Sequence, residues 1–194
     1  MSSAKTTRRW TASHSKLAEN HGWRAKPGHK IFVADRGAVQ FDIPQSWLVE
    51  PGDDSIRFHD KPPPDDDCLL QVSVMYLRGD VDWSGVGLTR CLEEALKANS
   101  GSCLARGEVT ELQRDGLELA WLEVRLLDEN EKREACSRLC YARSTSVAGV
   151  VVQPFITMDF WPEHADRFGP VWDEVLRSLT LGDFDEDPTR RILH

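Results

Sequence analysis

The stretch from Gly37 to Trp47 constrains the fold more than any other part of the chain. Val39, Phe41 and Ile43 alternate with Gln40 and Asp42, which gives an extended segment one apolar face at period two. Pro44 has no amide hydrogen to continue a ladder, so the strand stops there, and Trp47 closes that end with a large aromatic. The segment dictates architecture and carries no pattern of reactive groups.

The same reading extends along the chain. Strands are expected from His29 to Ala34 and from Gly37 to Ile43, around the turn-like Asp35-Arg36-Gly37, and again from Ser55 to His59. The connection Lys61 to Asp67 is too rich in proline for a ladder and too charged for burial, so it reads as a solvated spacer. Leu70, Val72, Val74 and Tyr76 then alternate with polar neighbours and Met75, which makes Cys68 to Leu77 a strand. Leu88, Leu92, Ala95 and Leu96 form a helical stripe, with Asp82 or Ser84 to cap it and Asn99-Ser100-Gly101 to stop it. Four strands are expected through Cys103 to Arg114, Leu117 to Leu127, Glu134 to Arg143 and Val147 to Met158, as an antiparallel meander turning tightly at Asp115-Gly116. Phe168, Trp172, Val175 and Leu179 mark a closing amphipathic helix, with Gly169-Pro170 at its start or at a kink. The fold class is α+β, an α/β/α sandwich whose central, mostly antiparallel sheet is covered by two amphipathic helices. Residues 1–28 read as a polar N-terminal extension with a short helix near Ser13 to Asn20, residues 29–181 as the domain, and 182–194 as an acidic tail.

Length and charge narrow the classes. A chain of 194 residues is most simply one domain that buries roughly 70% of its unfolded surface, and it needs no disulfide or metal to fold. The net charge of -8 and the scattered Lys and Arg argue against nucleic acid as a partner; the basic run Lys5 to Arg9 reads as a solvated terminus. No segment approaches the ~20 apolar residues of a membrane helix and no leader is legible, so no membrane partner and a cytoplasmic location are expected. Five cysteines at irregular spacing fit reduced thiols.

Phe41-Asp42-Ile43-Pro44-Gln45-Ser46-Trp47 resembles the "F-x-x-P-x-x-W" strand ending of the Mog1/PsbP/DcrB-like superfamily, and Val171 to Leu179 resembles its closing helix with a terminal Ser-Leu. The element order from about residue 29 to 181 is similar too. The resemblance implies protein binding in place of catalysis: members include photosystem extrinsic subunits, a binder of a nuclear-transport GTPase and Eag-type chaperones for secretion effectors. No motif singles out the GTPase-binding branch.

The residues themselves offer little chemistry. Cys136 and Cys140 on one strand stand ~13 Å apart, beyond the ~7 Å reach of a disulfide and too far to share a zinc ion. The histidines, His14, His21, His29, His59, His164 and His194, lack ligand spacing, and His164 with Asp166 reads as a helix N-terminus before it reads as an acid/base pair. Gly85-Val86-Gly87 echoes half a dinucleotide loop but lacks the third glycine, so it is taken as a helix entry. No catalytic, cofactor or metal residues are assigned, and no cofactor is expected. Of the seven tryptophans, Trp47, Trp121 and Trp172 sit on apolar faces and read as core. Trp10, Trp23, Trp83 and Trp161 lie at boundaries or in irregular segments, where an aromatic either anchors the chain structurally or meets a protein or peptide partner; they are the candidates for partner binding. The leading expectation is a non-enzymatic protein-binding module, a cytoplasmic chaperone or adaptor that self-associates or holds an apolar segment on a sheet face or in the cleft beside a helix. The alternative is a small-molecule binder or enzyme with a pocket at the strand ends, using His59, Asp60 or Cys68. A third is a structural subunit of a larger assembly.

Overall fold

The computed structural model describes residues 24–98, 103–146 and 149–182. Strands β1 (His29–Ala34), β2 (Val39–Pro44), β3 (Leu48–Pro51), β4 (Ile56–His59) and β5 (Cys68–Leu77) lead to helix α1 (Leu88–Ala98). Then come β6 (Cys103–Arg106), β7 (Thr110–Arg114), β8 (Leu117–Asp128), β9 (Arg133–Thr145), β10 (Val151–Phe160), α2 (Ala165–Ser178) and β11 (Thr180–Leu181). Every pairing is antiparallel. The large sheet runs β3-β4-β5-β10-β9-β8-β6, with β7 also on β8, and a small sheet runs β1-β2-β11.

One row of the large sheet shows how alternation becomes packing. Ile56, Val72, Ile156, Cys140 and Trp121 stand opposite one another on five successive strands and so share one face. On that face α2 brings Trp172, fully buried, to 5.8 Å from the Trp121 ring, and Phe168 to 6.2 Å from Trp47. The small sheet covers the remainder: Phe32 of β1 and Phe41 of β2 lie 4.8 and 5.5 Å from Phe58 of β4. A single apolar core therefore spans both sheets and α2. The opposite face carries a second, smaller core, where Leu88 and Leu92 of α1 meet Ala120, Leu122, Val124 and Leu139.

This is the expected sandwich, with differences in detail. Cys103 to Arg114 is two strands, because the chain leaves the ladder after Arg106 and Gly107 passes so close to Glu123 that a Cβ there would stand 3.1 Å from its carbonyl oxygen. The strand expected from Val147 begins at Val151 and ends at Phe160. Of the two places expected for Pro170, the start of α2 is excluded: the helix begins at Ala165 and carries the proline inside. Two elements were unforeseen, the edge strand β3 and the short β11, which adds to β2. The Asp115-Gly116 turn is as expected, with φ of 47° and 76° at its two residues, the left-handed pair of a two-residue hairpin. Of the extension, residues 24–28 run against the domain: the Lys26 amide donates to Asp42 at 3.2 Å and the Gln45 amide to the Gly28 carbonyl at 2.9 Å. The helix expected near Ser13 to Asn20 and most of the acidic tail lie outside the described residues.

Candidate functional site

The strand ends proposed as a pocket are occupied by their own chain. His59 closes β4, Asp60 follows, and Cys68 opens β5, so the three surround the loop from Lys61 to Asp67. Asp60 accepts from the amides of Asp67 at 2.8 Å and Cys68 at 3.0 Å, and its other oxygen from Arg167 of α2 at 2.9 Å. His59 has Asp66 at 2.9 Å from one ring nitrogen and Glu50 at 3.3 Å from the other. The Lys61 ammonium hydrogen-bonded to Asp67 holds that carboxyl below its usual range. Burial, reinforced by Asp60, pushes the Cys68 thiol far up, and a thiol kept protonated is not a nucleophile. Lys61 to Asp65 are exposed, as expected of a solvated connection, and the polar atoms of Asp60, Asp66 and Asp67 pin its ends to β4, β5 and α2.

A recess does open on the other face. Helix α1 lies over β8 and β9. Between its Leu96 and the sheet lies a cleft of about 380 Å³, lined by Val124 and Leu126 of β8, Ser137 and Leu139 of β9, Phe155, Thr157 and Asp159 of β10, and Cys103 of β6. The Tyr141 and Phe155 rings stack at 4.5 Å beside it. Asp159 stands opposite Ser137 on β9 and Leu69 on β5. Burial raises its carboxyl above the ordinary range, opposed by a hydrogen bond from Ser137. The lining contains no basic side chain. What this arrangement does chemically is accept apolar groups and present one acid to them.

Trp83 and Trp161 are both half-buried and lie far apart. Trp83 precedes α1; its indole donates to the Arg78 carbonyl at 2.8 Å and its own carbonyl accepts from Arg143 near the end of β9 at 3.0 Å. Trp161 follows β10 beneath the Arg133 guanidinium, 4.0 Å above its ring, at the start of β9. Ten residues of strand, about 33 Å, separate those two arginines, so the two indoles do not form one patch. Trp10 and Trp23 lie outside the described residues. All five cysteines are unpaired, and among the described residues no group of His, Cys, Asp and Glu converges as a metal site. No helix among them is long and apolar enough to cross a membrane.

Comparison with known proteins adds the family. The Alr1449 family model matches residues 30–185. The chain belongs to the Alr1449 family. A relative, uncharacterized protein alr1449 of Nostoc sp. (strain PCC 7120), is 39% identical over 186 residues, covering 95% of this chain and 94% of its own. Among solved structures, the Alr1449-family chain is similar to cyanobacterial PsbP (CyanoP) from Synechocystis sp. PCC 6803, with a TM-score of 0.55 at 17% identity over 85% of this chain and 98% of that one. It is also similar to LpqN, involved in cell envelope biogenesis of Mycobacterium tuberculosis, with a TM-score of 0.56 at 13% identity over 78% and 89% of the two chains. The Alr1449-family chain therefore has the Mog1/PsbP/DcrB-like fold.

Sequence reasoning about this Alr1449-family member singled out none of the cleft-lining residues of β9 and β10 as a site. Ser137 and Thr157 lie inside the expected strands, and Asp159 lies just past the expected end at Met158. The available signal was the pairing of Phe155 with Thr157 and Asp159 on the face of β10 away from Ile156, Met158 and Phe160, which a count of helices per face would have left partly uncovered.

Proposed function

We propose that this chain is a non-enzymatic, cytoplasmic protein-binding module, a chaperone or adaptor that seats an apolar segment of its partner in the cleft beside α1. The observation that carries the reading is the incomplete cover of the second sheet face: α1 buries Ala120, Leu122 and Leu139 and leaves a recess bordered by Leu96, Leu126 and Phe155. Residues 29–181 are the binding domain in this reading, and the segments before and after it are appendages. Five unpaired thiols suit a reducing compartment. Trp83 and Trp161 are assigned to holding the loop before α1 and the β10–α2 junction, since each already has a partner within the chain.

The test is to fill the cleft. Thr157→Trp puts an indole into the recess and leaves the covered face of β10 untouched. The wild-type chain should recover a protein partner at fixed stoichiometry from its source cells, and the filled variant, folded by circular dichroism, should lose it. Equal recovery by both, or a wild-type chain that recovers no partner and does not self-associate, sinks the reading.

A further inference from the structure

Asp159 is out of place in a recess of this kind. Its neighbours across the strands are Ser137 and Leu69, and the rest of the lining is apolar or weakly polar: Leu96, Val124, Leu126, Leu139 and Phe155. The cations of the surrounding strands are engaged elsewhere. Arg138 lies on the covered face, where it bonds Glu123 at 2.9 Å beneath α2, and Arg125 beside it bonds Glu134 at 3.0 Å. Arg106 of β6 faces Glu93 of α1 at 3.7 Å. An acid placed among apolar side chains with a serine as its donor costs free energy whenever it is ionised, and it returns that cost when a cation arrives.

We propose that the cleft selects an apolar protein segment bearing one lysine, whose ammonium group docks on Asp159 while its apolar neighbours fill the space between Leu96 and Phe155. The inference rests on the reading of the cleft as a docking site and names the chemistry of its occupant. An ammonium satisfies both requirements of the site: it neutralises the carboxylate in a region of low dielectric, and its four-carbon stem lies along apolar surface. A neutral segment gains burial alone. An acidic one meets a like charge. Burial raises the Asp159 carboxyl above its ordinary range, in keeping with a group that waits for a counter-charge.

The full chain at neutral pH is titrated with three fluorescein-labelled peptides of leucine and serine that carry lysine, norleucine or glutamate at one central position, with amide spectra recorded in parallel. The lysine peptide should bind about tenfold more tightly than the norleucine peptide, shift the resonances of Leu139 and Phe155, and lose its advantage in Asp159→Asn. The glutamate peptide should bind most weakly. If lysine and norleucine peptides bind equally and both move the cleft resonances, the lysine preference is wrong and the docking cleft survives. If no peptide moves them, both fall. Hexylamine shifting the cleft resonances where the peptides do not would assign the site to a small amphiphile and overturn the proposal.

Discussion

Asp159 and Glu174 are acids of the same molecule whose surroundings drive them in opposite directions. Glu174, buried on α2, takes a bidentate contact from Arg177 and a bond from Lys26 at 3.2 Å, and these hold its carboxyl at about 2. A carboxylate held below its unfolded range stabilises the fold above about pH 4.5, and that contribution fades as pH falls from there towards 2. Glu174→Gln should therefore lower the melting temperature at neutral pH by a modest amount, since both cations are well solvated, and the gap between variant and parent should close in acid. Asp159 has the opposite sign: its raised carboxyl weakens the fold once pH rises through the ordinary carboxylate range. Asp159→Asn should melt higher than the parent at neutral pH and converge with it in acid, as thermal unfolding across a pH series will show; a lower melting temperature at neutral pH would mean that the carboxylate is already compensated. Neither behaviour was legible in the residues. Of Glu174's partners only Arg177, three residues along the same helix, is local, while Lys26 is 148 positions away, and Asp159 has around it side chains of α1, β8 and β9 that lie far from it in sequence.

Strands with one wet face and one dry face announced themselves. Cys68–Leu77 was found to the residue because its alternation mirrors its burial. β3 was missed because Leu48, Val49, Glu50 and Pro51 are all exposed, so no period exists to detect, and two-residue β11 is too short to have one. The central strand β10 contradicts a rule and shows how the exception is met. Pro154 has no amide to give, and the β9–β10 ladder skips the positions opposite Gln153 and Pro154 without changing register. Across that gap the Arg143 Nε donates to Gln153 at 2.8 Å, and its Nη1 donates to the carbonyls of Trp83 and Val86 at 3.0 Å and to the Glu118 carboxylate at 3.2 Å. Arg143→Ala should cost about 1–3 kcal/mol by chemical denaturation, because Gln153 and two carbonyls lose their donor, and shift Trp83 emission to the red as its loop loosens. On α2, Trp172→Ala should cost about 3–5 kcal/mol, whereas Trp172→Phe should cost less, because the buried indole nitrogen has no partner to lose.

For the whole molecule, the aromatic group of Phe32, Phe41 and Phe58 fastens the small sheet to the large one through the core that also holds Trp172. The two sheets should consequently unfold together, giving coincident transitions by tryptophan emission and far-ultraviolet dichroism; a separate early transition would show that the small sheet folds independently. Fold class was readable because one amphipathic period per element decides which layers exist. A cleft beside a helix was expected but its lining was not legible, since its walls come from α1 and four strands and its volume depends on how far a helix extends over a sheet. The hairpin at Asp115 and Gly116 has a practical use. Its tip is exposed, its left-handed backbone depends on local turn chemistry, and the two strands it joins are bonded along their length. A foreign loop, such as an epitope tag or a lanthanide-binding insert, should ride there as a passenger, marking the chain in living cells with both of its ends left native.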